Sequence, residues 1–194
     1  MDTKEKILQS AREFFAKSGY EETSMAVIAR SVGIKKPSLY AHYKSKEAIF
    51  KAVMEQEFIE YTSSVAKVLS DTDRPVKSLL HDLLLRFSLY DDESSSEFYY
   101  RYSRYQPADL EAVIVQKFEE NEQIMTEMFN DLIQRGKENG EIDPALSNQQ
   151  IYDTYFLLVD GLSTTPVMYK EEYKKEGITH IWEVFERGIS PKEQ

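Results

Sequence analysis

Apolar residues recur at three- and four-residue spacing along nearly the whole of this 194-residue chain, and no stretch alternates convincingly with the period of two that a half-buried strand needs. Seven glycines and six prolines are few interruptions for such a length, which disfavours a turn-rich all-β protein. The expectation is an all-α fold of about nine helices, with one good core or one core plus a small satellite unit. The chain has no cysteine, so disulfides, thiolate metal sites and a cysteine nucleophile are ruled out. Its three histidines, His42, His81 and His180, lie too far apart in sequence for a short metal-ligand motif. No phosphate loop and no Ser/His/Asp order of a recognised type is present, so an enzyme is disfavoured and no cofactor is expected. The longest apolar stretch, residues 155–159, is far too short to span a bilayer. The start Met-Asp-Thr-Lys-Glu-Lys lacks the apolar run of a signal peptide, which points to the cytoplasm.

The first fifty residues are punctuated in detail. Asp2 and Glu5 have capping-box spacing ahead of Ile7, Leu8, Ala11, Phe14 and Phe15, one apolar helical stripe. Gly19 can end that helix in the left-handed conformation. Thr23 and Ser24 can cap a second helix with core positions Met25, Ile28, Ala29 and Val32, stopped by Gly33. A third short helix starts near Lys36 and Pro37, since proline is tolerated in a first turn. Leu39 is its natural buried anchor, and Ser45 can cap a fourth helix. Two short helices joined by a glycine-containing turn make a helix-turn-helix arrangement, whose second helix suits the major groove of duplex DNA.

Charge sharpens that expectation. The chain carries a formal −10, which alone argues against a nucleic-acid partner. Residues 1–50, however, sum to +3 and the remainder to −13, and residues 23–46 hold five basic residues and no acid. Such asymmetry suggests separate jobs for the two parts.

The run Gly19-Tyr20-Glu21-Glu22-Thr23-Ser24-Met25, then Ile28-Ala29, Val32-Gly33-Ile34 and Ser38-Leu39-Tyr40-Ala41-His42-Tyr43-Lys44-Ser45-Lys46-Glu47, resembles the N-terminal domain of TetR-family transcriptional regulators. The resemblance covers about a quarter of the chain and implies a DNA-binding domain over residues 1–50 and a ligand-binding and dimerisation domain over 51–194. It assigns to DNA the residues Thr23, Ser24, Lys35, Lys36, Pro37, Ser38, Tyr40, His42 and Lys46. Thr23 would meet a phosphate through hydroxyl and amide. Lys36, Pro37 and Ser38 would face bases, and Tyr40 and Lys46 would hold the backbone. Lys35 stands where the family usually has a serine cap, Pro37 where glycine is usual, and Tyr43 where phenylalanine is usual.

Beyond residue 50, helix four continues toward Leu69, and Asp71 to Pro75 breaks it. Val76, Leu79, Leu80, Leu83, Leu84 and Phe87 mark a fifth helix. Residues 91–96 read as an acidic loop and 98–105 as a short aromatic segment. One long helix, about 108–139, carries Val113, Ile114, Phe118, Ile124, Met128, Leu132 and Ile133. Gly140 and Asp143-Pro144 end it. Two more helices follow, over about 148–165 and 171–188.

The aromatic residues Tyr61, Phe87, Tyr90, Tyr99, Tyr102, Tyr105, Phe118 and Tyr155 are candidates to line a small-molecule pocket, because such sites are apolar with a few orienting polar groups. Arg101 and Arg104 would suit an anionic ligand, and the tyrosines a cationic one. Ile151, Leu158, Gly161 and Leu162, with Ile181, Val184 and Phe185, are candidates for a homodimer interface built from the last two helices of each chain. Two helix-turn-helix units at fixed separation would read a pseudo-palindromic operator. The functional expectation is a dimeric regulator of double-stranded DNA, a repressor released by an unidentified small effector, with no membrane association. A ligand-binding or scaffold protein of the same fold that no longer binds operators is the alternative.

Overall fold

The computed structural model describes residues 2–88, 93–164 and 171–192, with the backbone alone described at 88, 93–96, 163–164 and 171–175. The described residues form nine α-helices and no strand: α1 (Thr3–Ser18), α2 (Met25–Val32), α3 (Lys36–His42), α4 (Lys46–Leu69), α5 (Val76–Ser88), α6 (Glu93–Arg104), α7 (Glu111–Glu138), α8 (Asn148–Thr164) and α9 (Glu171–Ile189). The all-α expectation is met in class and element order.

The predicted punctuation recurs as geometry. Asp2 and Glu5 close a reciprocal capping box, with Asp2 N–H donating to Glu5 Oε2 at 2.7 Å and Glu5 N–H to Asp2 Oδ1 at 2.8 Å. Gly33 ends α2 in the left-handed region at φ 77°, ψ 26°. Gly19 also has positive φ, 86°, but its ψ of 169° takes the chain away extended and not in the expected left-handed wrap. Ser24 Oγ accepts from Val27 N–H at 3.2 Å, and Ser45 Oγ from Ala48 N–H at 3.0 Å, so serines cap α2 and α4.

Two compact units result. The first comprises residues 1–61 and 91–122, the second 62–90 and 123–194. This differs from the expected division at 50/51. The physical reason is α6, which packs on α1 and brings the first part of α7 with it. Ile7, Phe15, Ile28, Leu39, Ile49 and Phe50 share one core with Phe98, Tyr102 and Ile114. Phe50 meets Tyr102 edge-on at 4.7 Å between centroids and Phe98 at 5.6 Å. The segment read as an acidic loop is corrected as well. Helix α6 begins at Glu93, and Phe98 and Tyr102, at i and i+4, form the stripe that anchors it.

In the second unit α5 packs against α8 and α9. Leu79, Leu80, Leu83 and Leu84 of α5 are fully buried. The core face of α7 keeps the expected Ile114, Leu132 and Ile133, but in its middle Met125 and Phe129 are buried instead of Ile124, which is 47% exposed. Gly136 lets α7 come close to its neighbours, since a Cβ there would lie 2.6 Å from Ile142 Cδ1 and 3.0 Å from Val76 Cγ1.

Candidate nucleic-acid interface

Helix α3 has seven residues, about two turns and roughly 10 Å of axis, and fits a major groove about 12 Å wide. Leu39 is its only buried side chain. Lys36, Pro37, Ser38, Tyr40, Ala41 and His42 are all exposed, as is Lys35 at its N-cap. The single apolar anchor therefore turns every polar group of α3 toward solvent. As the sequence suggested, Lys35 supplies no side-chain cap. The first turn is held by backbone bonds, from Ser38 N–H to Lys35 O at 2.9 Å and Leu39 N–H to the same oxygen at 3.2 Å. The Lys36 ammonium stands 5.9 Å from the centre of the Tyr40 ring.

Two expected phosphate ligands are engaged within the chain. Thr23 is buried, 2% exposed, and its hydroxyl donates to Gly19 O at 2.7 Å. The expectation that this hydroxyl faces a phosphate is corrected: it closes the α1–α2 turn, and the exposed Ser24 beside it caps α2. Lys46 is half-buried, with Nζ donating to Tyr20 O at 2.6 Å and lying 4.0 Å over the Tyr20 ring. Its ammonium is held in place by the turn, and Tyr20 in turn packs on Phe15 and Phe50. Tyr43 puts its ring in the core as expected, 7% exposed, and its buried hydroxyl has no hydrogen-bond partner. That burial pushes the phenol above its ordinary range.

The residues expected to line a ligand pocket divide between the two units, and several are corrected. Tyr102 belongs to the core of the first unit, 1% exposed, with its hydroxyl on Phe15 O at 3.1 Å. Tyr155 is core in the second, its hydroxyl on Leu80 O at 2.8 Å and its ring against Phe129. Tyr105 is 76% exposed. Tyr99 and Phe118 do meet, at 5.3 Å, with Phe58 on the other side of Phe118 at 5.2 Å. Tyr61, half-buried, lies in the first unit, and Phe87, against Phe156, in the second. Tyr90 lies outside the described residues. Arg101, expected to attract an anion, spends its donors on the end of α1.

Of the expected dimer residues, Ile151, Leu158, Ile181, Val184 and Phe185 line one open groove of about 870 Å³ between α8 and α9. Val184 is 68% exposed and Leu158 and Ile181 partly so, whereas Ile151 and Phe185 are buried in their own chain. Leu162 is buried and Gly161 exposed, and neither lines the groove. Three residues that hold the first unit were not read in that role from the sequence: Tyr20 was given none, and Arg101 and Tyr102 were assigned to a ligand pocket. The only signal for them was the i, i+4 pair Phe98 and Tyr102, which is equally compatible with a pocket wall. Among the described residues no group of acids and histidines could hold a metal, and no helix is long and apolar enough to cross a membrane.

Comparison with known proteins agrees with this geometry. Residues 7–53 match the family model for bacterial regulatory proteins, tetR family. The negative transcriptional regulator IcaR of the biofilm operon icaADBC in Staphylococcus epidermidis is 44% identical over 55 residues, 28% of this chain and 30% of that relative's own length. The transcriptional repressor KstR2 of Mycolicibacterium smegmatis is 26% identical over 150 residues, 77% of this chain and 72% of the relative. The fold matches that of the transcriptional regulator FadR from Bacillus subtilis, solved with stearoyl-CoA, at a TM-score of 0.73 and 19% identity over 95% of this chain and 98% of that one. With a solvent-facing α3 set on one leucine and the family match over residues 7–53, the N-terminal part of the chain is a tetR-family domain, and the chain as a whole shares the fold of solved TetR-type regulators.

Proposed function

We propose that this chain is a homodimeric repressor that binds a pseudo-palindromic operator through α2 and α3 and is released by a small-molecule effector. The observation that carries the reading is the exposure of Lys35, Lys36, Pro37, Ser38, Tyr40 and His42 around the buried Leu39. Lys36, Pro37 and Ser38 stand at the leading end of α3, the part of a recognition helix that reaches base edges. Tyr40 and Lys46 position the backbone, the latter as an ammonium pre-set by the turn carbonyls. Homodimerisation through α8 and α9 is supported by the open apolar groove and by Val184 standing exposed beside it. An effector is supported by the contact of the exposed Tyr99 with the half-buried Phe118 and by neighbours of this fold, one of which was solved with stearoyl-CoA. Effector and operator would then oppose each other through one reciprocal coupling free energy. The matched relatives are named as regulators, and none is named as an enzyme. The setting is cytoplasmic, where the DNA is.

The test is a titration of DNA from the chain's own upstream region at several salt concentrations. Lysines on phosphates release condensed counterions, so affinity should fall steeply with salt, by a slope of about 0.9 for each phosphate neutralised. Weak binding without salt dependence would refute the reading.

A further inference from the structure

The end of α1 is satisfied from a distance. A helix C-terminus leaves its last carbonyls without intrahelical donors, and a left-handed turn usually meets them. Here Gly19 N–H still donates to Phe15 O at 3.1 Å, but the chain then leaves extended, and α6 supplies the donors for the carbonyls that follow. Arg101 Nε donates to Ala16 O at 2.7 Å and Nη2 to Lys17 O at 3.0 Å, while the neighbouring Tyr102 hydroxyl reaches Phe15 O at 3.1 Å. Two successive residues of α6 thus meet three successive carbonyls of α1. The guanidinium also lies close over the turn, since a Cβ at Gly19 would sit 3.3 Å from Nη1. That turn is fastened further on by Thr23 to Gly19 O and by Lys46 to Tyr20 O, and it runs directly into Ser24 and α2.

We propose that Arg101 is a positioning residue for DNA binding, holding the α1–α2 turn, and with it α2 and α3, in the reading geometry without touching DNA. This rests on the DNA-binding reading above. Arginine suits the task because a planar fork presents two donors in fixed relation, which an ammonium does not, and because a cation is favoured at the negative end of a helix. Both of these bonds end on backbone carbonyls, so they fix the main chain itself. Tyr102 adds a neutral bond and packs on Phe50, which ties the same grip to α4.

The test uses the full chain and the upstream DNA, with Arg101→Ala and Arg101→Lys. Both variants should lose roughly tenfold in affinity, about 1.4 kcal/mol. The slope of log affinity on log salt should match the parent, because no phosphate contact is removed. Amide exchange at residues 19–24 should quicken while that of α5 and α8 does not. Should Arg101→Ala fail to fold by circular dichroism, Arg101→Lys decides. The proposal is overturned by Arg101→Lys binding like the parent, by a slope reduced by about one, which marks a direct phosphate contact, or by unchanged exchange at 19–24. The exchange readout needs no DNA. A parent chain that shows no salt-steep binding would refute the functional reading, while unchanged exchange or affinity in the variants would refute only the role of Arg101.

Discussion

Replacing Leu39 by alanine should separate DNA reading from global folding. Helix α3 is seven residues long, its N-cap lysine contributes no side-chain bond, and Leu39 is its one buried residue. Isolated helices below about 12–15 residues are marginal in water, so α3 exists by virtue of its packing on α2 and the seat of Leu39 in the shared core. A buried leucine cut to alanine costs about 2–5 kcal/mol. At roughly 3 kcal/mol the docking equilibrium of α3 shifts about a hundredfold. Burying one leucine is itself worth about 1.5–3 kcal/mol, so docked and undocked forms become comparable or the undocked one dominates. Apparent affinity falls in proportion to the competent fraction, giving an expected loss of tenfold or more. The chain's single tryptophan, Trp182, packs against His81 and Phe185 in the second unit and reports on the folding there. The assay is a DNA titration alongside thermal melting followed by Trp182 fluorescence. Leu39→Met, which conserves volume, serves as control and should cost less than about 1.5 kcal/mol. DNA affinity of Leu39→Ala within twofold of the parent would refute the reasoning, as would simultaneous loss of the Trp182 signal.

Three other outcomes are expected. Tyr43→Phe removes a buried hydroxyl that has no partner, so it should leave stability unchanged or raise it by up to about 1 kcal/mol in a denaturant melt, and a clear loss would contradict the packing. Val184→Glu, at a side chain 68% exposed beside the α8–α9 groove, should leave the helical signal intact and yield monomers in sedimentation; a persisting dimer would place the interface elsewhere. Burial raises the phenols of Tyr102 and Tyr155 above the ordinary 10.0, so the stability their neutral forms contribute is complete below that pH and declines as pH rises beyond it. Denaturant melts should weaken progressively at alkaline pH, and Tyr102→Phe and Tyr155→Phe should flatten that decline.

Helix order, caps and the anchor Leu39 were legible because each depends on neighbours within a few residues. Asp2 with Glu5, Ser24 and Ser45 are local chemistry, and a period of 3.6 is visible in any window. The assignment of Tyr102 was not legible, because a buried tyrosine and a pocket tyrosine share one composition. What separates them is the Phe15 carbonyl, which no spacing rule connects to α6. Thr23 illustrates the same limit at short range. Its position at a helix start suits a phosphate ligand, yet the extended exit of Gly19 places a carbonyl where the hydroxyl closes on it. The bounds of the compact units were not legible for the same reason, since α6 follows residue 50 in sequence but joins α1 in the core.

The acidity of the chain has a consequence that the salt titration can read. Residues 1–50 carry +3 and the rest −13, yet charges interact strongly with DNA only within a screening length of about 8 Å at physiological salt. There the five basic residues of segment 23–46 decide the interaction, and the net charge of −10 has little say. At about 0.01 M salt the screening length reaches roughly 30 Å, comparable with a small domain, and the acidic remainder then repels the phosphates as well. Falling salt should therefore strengthen binding less and less, so that log affinity against log salt bends toward a plateau at the dilute end. Non-specific DNA should show the bend most clearly, because its binding is almost wholly electrostatic. Neutralising acids on the exposed face of α7, such as Glu119→Gln with Glu127→Gln, should straighten the plot while leaving physiological-salt affinity nearly unchanged. A plot that stays linear to the lowest salt would mean that the acidic part lies beyond reach of the DNA at every salt, and that the charge asymmetry of the sequence has no part in binding.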